Sequence, residues 1–143
     1  SNSPHPKSNN SNVLQEYSSQ MKKLIKRGSY NSGLRPSEHK ISDTAFSNNN
    51  LGSIPANVLI ASNTTSNDPY LIKCKEQELS IHPARMPYTI PSFFIKMLTD
   101  EKDLVFDCFA GSNTTGKCAE MLNRMWISTE INCEYFEGSK LRF

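Results

Sequence analysis

The sequence predicts an α/β fold built around a parallel pair of strands. Two short apolar runs, "DLVFDCF" at 103–109 and "WISTEI" at 126–131, have the length and composition of buried strands. The stretch between them, "TGKCAEMLNRM", has the periodicity of a helix and follows a turn that contains glycine. A strand, a helix and a second strand in this order form a βαβ unit, which implies a parallel sheet.

Two further helices are predicted on either side of this unit. "IPSFFIKMLT" at 90–99 carries Pro91 near its first turn, where proline is tolerated, and "NCEYFEGSKLRF" at 132–143 follows the second strand. At 143 residues the chain has room for one ordinary domain with a modest core.

The first part of the chain has a different composition, rich in Ser and Asn up to about residue 68. Apolar residues recur at helical spacing over 13–27, so we predict a short helix there, with Ser11 or Asn12 as its N-cap and Gly28 at its end. Residues 29–68 are expected to form a long irregular segment, either functional or disordered.

Basic residues are concentrated in this first part. Residues 1–50 contain seven Lys and Arg against three acids, whereas the remaining residues contain nine against eleven. The formal net charge of the whole chain is only +2, which does not by itself indicate a nucleic-acid partner. Several of these cations fall in the last turns of the predicted helix, where they either stabilise the helix dipole or contact DNA phosphates.

Four cysteines stand at 74, 108, 118 and 133 without C-x-x-C spacing or a nearby pair of histidines, so no zinc site is expected. The sequence shows neither a signal peptide nor a long apolar run, and we therefore expect a cytoplasmic protein with reduced thiols. The first residue is Ser rather than Met, which suggests that the chain is one part of something larger.

The turn after the first strand, "GSNTTGKC" at 111–118, differs by one residue from a nucleotide-hydrolase phosphate loop. That loop needs a hydroxyl after its lysine to bind magnesium, and this chain has Cys118. Asp107, at the end of the strand, would also repel a triphosphate. A dinucleotide site requires G-x-G-x-x-G, and that spacing is absent here.

S-adenosylmethionine suits the same turn better, because it carries positive charge and no phosphate. The Asp107 carboxylate can pair with this charge, and Gly111 permits close approach of the backbone. Glu130 ends the second strand, where an acid binds ribose hydroxyls in nucleotide folds. As an isolated feature, Glu130 is equally an ordinary acid at a strand end.

The residues around this turn resemble a known family. "HPARMPYTIPSFFIKMLTDEKDLVFDCFAGSNTTG" resembles the joined motifs X and I of β-class amino-group DNA methyltransferases, most closely the PvuII-type N4-cytosine enzymes. "WISTEINCEYFEGSKLRF" resembles their motif II, and "SPHPKSNN", "MKKLIKRGSYNSGLRPSEHKI" and "IPANVLIASNTTSNDPYL" are similar to their recognition region. The resemblance implies a partial DNA target-recognition region at 1–80, mostly irregular. It also implies part of a Rossmann-like S-adenosylmethionine-dependent methyltransferase sheet at 81–143.

The resemblance also implies individual roles. Phe109 would lie against the adenine, Glu130 would bind the ribose, and motif X would close around the methionine end of S-adenosylmethionine. The implied cofactor-binding residues are His82, Pro83, Ala84, Arg85, Asp107, Phe109, Ala110, Gly111, Ser112, Asn113, Thr114 and Glu130. The implied DNA-binding residues are Lys7, Lys22, Lys23, Lys26 and Arg27 for phosphates, and Arg35, Glu38 and His39 for base edges.

Two positions depart from the family pattern. Cys108 stands where the family often has Pro, and Asn113 stands where Gly is commoner. Asparagine tolerates left-handed backbone angles better than other residues with a side chain, so we expect the turn to form.

The family's catalytic tetrapeptide, [SND]-P-P-[YFW], does not occur in this sequence. "NDPY" at 67–70 lacks the first proline, and "NSPH" at 2–5 lacks the second proline and the aromatic residue. We therefore expect the C-terminal part of a site-specific, cytosine-N4 DNA methyltransferase of a restriction-modification system. This part would be inactive without an N-terminal half that carries the motif, and it would expose an edge strand and apolar surface.

Three alternatives stay open. The parent enzyme could methylate adenine N6, because the deciding motif is missing. The chain could be a non-catalytic DNA-binding remnant that keeps the cofactor fold. It could also be a complete small methyltransferase acting on RNA or protein, with "NDPY" as a degenerate active site.

Overall fold

The computed structural model describes residues 10–29, 33–34, 36–37, 40–42, 49–62 and 66–143. They form two compact units, one from residues 13–56 and the other from residues 57–143 together with 10–12. The division of function at residue 80 stays a prediction. Four predicted DNA-binding residues lie outside the described residues: Lys7, Arg35, Glu38 and His39.

The smaller unit contains the predicted first helix, but the helix is shorter than expected. Helix α1 spans Ser19–Arg27 and ends at Gly28 in the left-handed conformation, with φ of 71°, as predicted. The predicted start is wrong, because Gln15 instead pairs with Ser53 through two backbone hydrogen bonds of 2.9 and 3.0 Å. The helix begins after Ser18, whose hydroxyl accepts a backbone N–H of the first turn at 3.2 Å.

The segment predicted to be irregular contains a short antiparallel pair. Strand β1 is Gly33–Leu34 and strand β2 is Lys40–Ile41, with Leu34 opposite Lys40. Two residues per strand are too few to leave a period-two pattern in the sequence, which explains why the pair was not predicted.

The larger unit contains the predicted βαβ unit. Its elements are α2 (Pro69–Glu76), α3 (Thr89–Leu98), β3 (Leu104–Asp107), α4 (Thr114–Met121), β4 (Met125–Ser128) and α5 (Cys133–Ser139), followed by a 3-10 turn at Lys140–Arg142. Strands β3 and β4 pair in parallel, which confirms the predicted α/β architecture. The last helix is shorter than predicted, because the chain tightens into the 3-10 turn after Ser139.

Helix α2 was not predicted, although its start carries a recognisable signal. The Asp68 carboxylate accepts the Tyr70 backbone N–H at 3.1 Å and Pro69 occupies the first helical position. Tyr70 and Cys74 are almost completely buried, so the helix is anchored by its inner face. "NDPY" therefore forms a helix start in this fold.

The core lies between the sheet and two helices. Ile95 of α3 and Cys118 and Ala119 of α4 are buried, and Val105 and Trp126 pack against them from the strands. Side chains alternate along a strand, so Val105 and Trp126 mark the covered face of the sheet.

The opposite face of the sheet is apolar and uncovered within the described part of the chain. Its four side chains are exposed by 52–62 %, and the parallel register places them in two adjacent pairs. They are Leu104 beside Met125 and Phe106 beside Ile127. We call this surface the open sheet face. Parallel sheets are ordinarily covered on both faces, so four half-exposed apolar side chains on one face of this pair are unusual.

The four cysteines are free thiols, with Cys74 and Cys118 buried and Cys108 and Cys133 exposed. Burial raises the pKa of the Cys118 thiol. Among the described residues, no helix has both the length and the apolar character needed to span a membrane.

Candidate functional site

The carboxyl ends of β3 and β4 meet at one edge of the sheet, where Asp107 is paired with Ser128. The loops that follow are bonded to each other: the Thr129 N–H donates to the Asp107 carbonyl at 2.9 Å, and the Ala110 N–H donates to the Thr129 carbonyl at 3.0 Å. The two loops therefore run side by side at the edge where open α/β sheets bind ligands.

Glu130 connects these two loops. One carboxylate oxygen accepts the Gly111 N–H at 2.7 Å and the other accepts the Asn132 N–H at 3.0 Å. The N–H of Asn132, and next that of Gly111, hold the pKa of Glu130 below its usual range. Glu130 is therefore charged at neutral pH, and each of its oxygens retains a lone pair for a further donor.

Gly111 lies against the start of the predicted motif X. Its φ is +51°, and a Cβ at this position would lie 3.1–3.2 Å from ring atoms of His82. His82 is itself held in place, because its backbone N–H donates to the Tyr70 hydroxyl at 3.2 Å and its Nδ1 donates to the Ala84 carbonyl at 2.8 Å. Two predicted cofactor-binding residues, His82 and Gly111, are thus brought into contact, and a side chain at 111 would crowd the imidazole.

Asn113 adopts the left-handed conformation, with φ of 55° and ψ of 42°, so the expectation that asparagine would support the turn is confirmed. Its side-chain oxygen accepts the Gly116 N–H at 3.1 Å and the Ser128 hydroxyl at 2.9 Å. Asn113 therefore caps α4 and also ties the start of that helix to the end of β4.

Replacing Asn113 with alanine is expected to lower the free energy of unfolding by about 2–3 kcal/mol, because alanine loses the helix cap and is strained at positive φ. Glycine at the same position is expected to cost about 1 kcal/mol or less, since it adopts positive φ freely and is an acceptable N-cap. Aspartate keeps both features and is expected to be nearly neutral. Urea unfolding of the three variants measures this order, and equal losses for alanine and glycine would contradict it.

The side chains of the loop itself face into the protein. Ser112, Asn113 and Thr114 are only 3–4 % exposed, and the hydroxyls of Ser112 and Thr114 lie 3.3 Å apart. These predicted cofactor residues therefore shape the loop through their side chains. A ligand would therefore contact the backbone of the loop and the residues beside it.

Two exposed apolar residues follow the strand ends. Phe109 is 87 % exposed two residues after β3, and Ile131 is 98 % exposed directly after Glu130. Ile131 was not predicted as a site residue, although an apolar residue next to a strand-end acid is a visible signal.

The other predicted cofactor residues lie at or near the same edge. The Asp107 carboxylate accepts the Phe109 N–H at 3.0 Å, Pro83 and Ala84 are exposed, and Arg85 is half-buried. A cavity of about 380 Å³ opens beside the loop. Its lining includes Ala110, Asn113, Ser128 and Glu130 together with the rings of Trp126, Phe136 and Phe143.

Lys117 occupies the position of a phosphate-loop lysine. Its Nζ lies 5.5 Å from the ring centroid of Phe143, and that ring stacks on Trp126 at a centroid distance of 4.8 Å. The lysine therefore lies over an aromatic ring, which disfavours the phosphate-loop interpretation.

Arg142 was also missed, and it is the most highly connected side chain beside the loop. Its guanidinium donates through Nε to the Ser112 carbonyl and through Nη2 to the Ser112 hydroxyl at 2.9 Å. Nη1 donates to the Asp68 carboxylate at 3.2 Å and to the Tyr88 hydroxyl at 2.9 Å. These partners stand 30 to 74 positions away along the chain, so no local pattern indicates them.

The described members of the predicted DNA-binding set lie together on α1, in the smaller unit. Lys22, Lys23, Lys26 and Arg27 are all exposed. Lys22 pairs with Glu16 at 3.1 Å, but both side chains are largely in solvent, where such a pair is weak.

Comparison with known proteins supplies the family. A family model described as DNA methylase matches residues 2–141. The Type II methyltransferase M.PvuII of Proteus hauseri is 50 % identical over 140 residues, which cover 96 % of this chain and 41 % of M.PvuII. The orphan methyltransferase M.BamHII of Bacillus amyloliquefaciens is 46 % identical over 54 residues, covering 38 % of this chain and 20 % of that protein.

A solved structure agrees with this similarity. The PvuII DNA methyltransferase, described as cytosine-N4-specific, superposes with a TM-score of 0.61 and 53 % identity. The match covers 65 % of this chain and 33 % of that structure. The chain thus spans about two fifths of the length of M.PvuII.

Proposed function

This chain belongs to the DNA methylase family, and from that premise we propose that it is the cofactor-binding and DNA-recognition part of a cytosine-N4 DNA methyltransferase. The cofactor is S-adenosylmethionine and the substrate is double-stranded DNA, modified within a restriction-modification system. The observation that carries the proposal is the bond between Glu130 and Gly111, which joins two loops at the carboxyl ends of parallel strands.

The residues at this edge suit S-adenosylmethionine, which supplies an electrophilic methyl group when bound. The two free lone pairs of the Glu130 carboxylate can accept the ribose hydroxyls. Phe109 and Ile131 offer exposed apolar surface for the adenine, one from each loop. Asp107 provides negative charge for the cationic end of the cofactor.

The start of motif X completes the cofactor site. His82 lies against Gly111 and Ala84 accepts the His82 Nδ1 hydrogen, so residues 82–85 turn next to the loop. This placement supports a role for Pro83, Ala84 and Arg85 at the methionine end of the cofactor.

The basic residues of α1 are suited to DNA phosphates. Lys22, Lys23, Lys26 and Arg27 form one exposed basic surface on a helix of nine residues. Contacts of this kind position a protein on DNA without reading the sequence. Lys7 is proposed to add a further phosphate contact, and Arg35, Glu38 and His39 to supply the base contacts.

Methylation of the DNA base requires a second part of the enzyme. The catalytic tetrapeptide is absent from this sequence, and the open sheet face presents four exposed apolar side chains on a parallel pair of strands. Both features support an N-terminal half or subunit that carries the tetrapeptide and covers this face. The chain alone is then expected to be inactive.

Calorimetric titration with S-adenosylmethionine tests the proposal, first on the chain alone and then on the chain mixed with the part of M.PvuII that it does not match. We expect cofactor binding with the second part present, and methylation of double-stranded DNA only in the mixture. The Asp107→Asn variant keeps an acceptor for the Phe109 N–H but loses its charge, so its affinity is expected to fall about tenfold or more.

Two results would contradict the proposal. These are preferential binding of ATP, or methylation by the chain alone. The first would restore a phosphate site, and the second would make the chain a complete enzyme.

A further inference from the structure

We propose that Arg142 is a positioning residue that holds the loop 111–114 in the conformation that binds the cofactor. The inference rests on the proposed function, because it assigns to Arg142 an effect on the same site. Among the described residues, the hydrogen bonds of Arg142 reach the loop at Ser112, and Arg142 is distinct from the residues expected to touch the cofactor.

The contacts show how one side chain sets the backbone of the loop. Arg142 donates two hydrogen bonds to Ser112, one from Nε to the carbonyl and one from Nη2 to the hydroxyl. The Ser112 carbonyl belongs to the peptide that leads into Asn113, the residue in left-handed conformation. Holding that carbonyl therefore fixes the orientation of the peptide plane between Ser112 and Asn113. On one side of this peptide is Gly111, whose N–H donates to Glu130, and on the other is Asn113, which caps α4.

The guanidinium is in turn held from the side away from the loop. Nη1 is bonded to Asp68 and Tyr88, and the Tyr70 ring lies 4.4 Å from the guanidinium carbon. The Arg142 side chain is 1 % exposed, so these bonds form in a site with little competing water. The guanidinium of arginine is planar and carries five N–H donors, so it bonds to all these partners at once. The single ammonium of lysine does not.

The consequence for function is preorganisation. A loop already held in its binding conformation loses less conformational freedom when a ligand binds, and the affinity is higher for that reason. Arg142 thus links residues 68–70, before motif X, to the glycine loop of motif I.

The test compares Arg142→Lys with Arg124→Lys in the 143-residue chain mixed with the remaining part of M.PvuII. Arg124 is a matched control, because its guanidinium makes three hydrogen bonds of 2.6–3.0 Å, to Thr99 and Leu122, where that of Arg142 makes four. It lies just before β4, at the opposite end of the strands from the loop. Two quantities are measured for each variant: amide hydrogen exchange of peptides covering 111–113, and the dissociation constant for S-adenosylmethionine.

We expect Arg142→Lys to speed exchange in the loop about tenfold and to weaken the cofactor about tenfold, while exchange in α3 changes little. Arg124→Lys is expected to leave both loop exchange and affinity unchanged. If Arg142→Lys does not fold, Ser112→Ala provides the second variant, since it removes the hydroxyl that accepts from Nη2 and keeps the carbonyl that accepts from Nε. It is then expected to speed loop exchange by a smaller factor.

The inference is overturned if Arg142→Lys leaves the loop unchanged, if it speeds exchange equally throughout the unit, or if the loop loosens without loss of affinity. Failure of the proposed function has a different signature. In that case the unsubstituted chain with its second part does not bind S-adenosylmethionine, while the selective loosening of the loop by Arg142→Lys still supports the positioning role.

Discussion

Replacing Asp68 with alanine is expected to lower the free energy of unfolding by about 3–5 kcal/mol, because it leaves the Arg142 charge buried and unpaired. The Asp68 and Arg142 side chains are 9 % and 1 % exposed, and their atoms approach to 3.2 Å. Alanine also removes the cap of α2, since Asp68 accepts the Tyr70 N–H. Urea unfolding monitored by circular dichroism measures the loss.

Two companion variants separate the contributions of charge and cap. Asp68→Asn keeps an N-cap oxygen and a neutral acceptor for Arg142, so its loss is expected to lie between that of alanine and zero. Glu137→Ala breaks the surface pair with Lys140, whose side chains are both 54 % exposed, and is expected to cost less than about 1 kcal/mol. A loss at Asp68→Ala no larger than that at Glu137→Ala would contradict a structural role for the buried pair.

The βαβ unit could be predicted because the patterns that indicate it lie in adjacent residues of the sequence. Strands β3 and β4 are apolar runs of ordinary length, and the helix between them follows a glycine turn. The conformation of Asn113 followed from the steric tolerance of asparagine, and the structure confirms it. These features depend on neighbours in sequence, which a single sequence displays.

The Arg142 contacts could not be predicted, because they join residues that are far apart in sequence. Asp68 was considered as part of a degenerate catalytic tetrapeptide, and the structure instead gives it a cap and a buried ion pair. The early start predicted for α1 failed for a similar reason. Gln15 pairs with Ser53, 38 positions away, and the backbone groups engaged in this pairing are not available to begin the helix.

The open sheet face follows from both kinds of information. Alternation along each strand is local, so the sequence already separates Val105 and Trp126 from the outward residues on the other face. Whether that other face is covered depends on elements outside the strands, and in the described part of the chain its four side chains stay more than half exposed. The four exposed side chains therefore mark the surface where the proposed N-terminal half would dock.

Replacing Phe106 and Ile127 together with aspartate is expected to weaken the binding of the chain to the remaining part of M.PvuII by about a hundredfold or more. Each side chain is more than half exposed here, so covering both removes enough apolar surface to contribute about 3 kcal/mol. Buried unpaired carboxylates would add a further cost. The variant is expected to keep the fold of the chain, because both side chains are more than half exposed and contribute little to the core. Sedimentation or calorimetric titration with the second part measures the affinity.

Val58 and Ile60 provide the matched control, since they are 65 % and 92 % exposed in the same compact unit but lie outside the strands. Replacing both with aspartate adds the same charge to the chain and is expected to leave the affinity within about threefold of the unsubstituted value. If the strand variant binds as tightly as this control, the open sheet face is not the docking surface. If both variants lose binding equally, added negative charge is the cause, and burial of apolar surface does not account for the loss. Loss confined to the strand variant, accompanied by loss of DNA methylation in the mixture, would identify the face as the surface through which the catalytic half is joined.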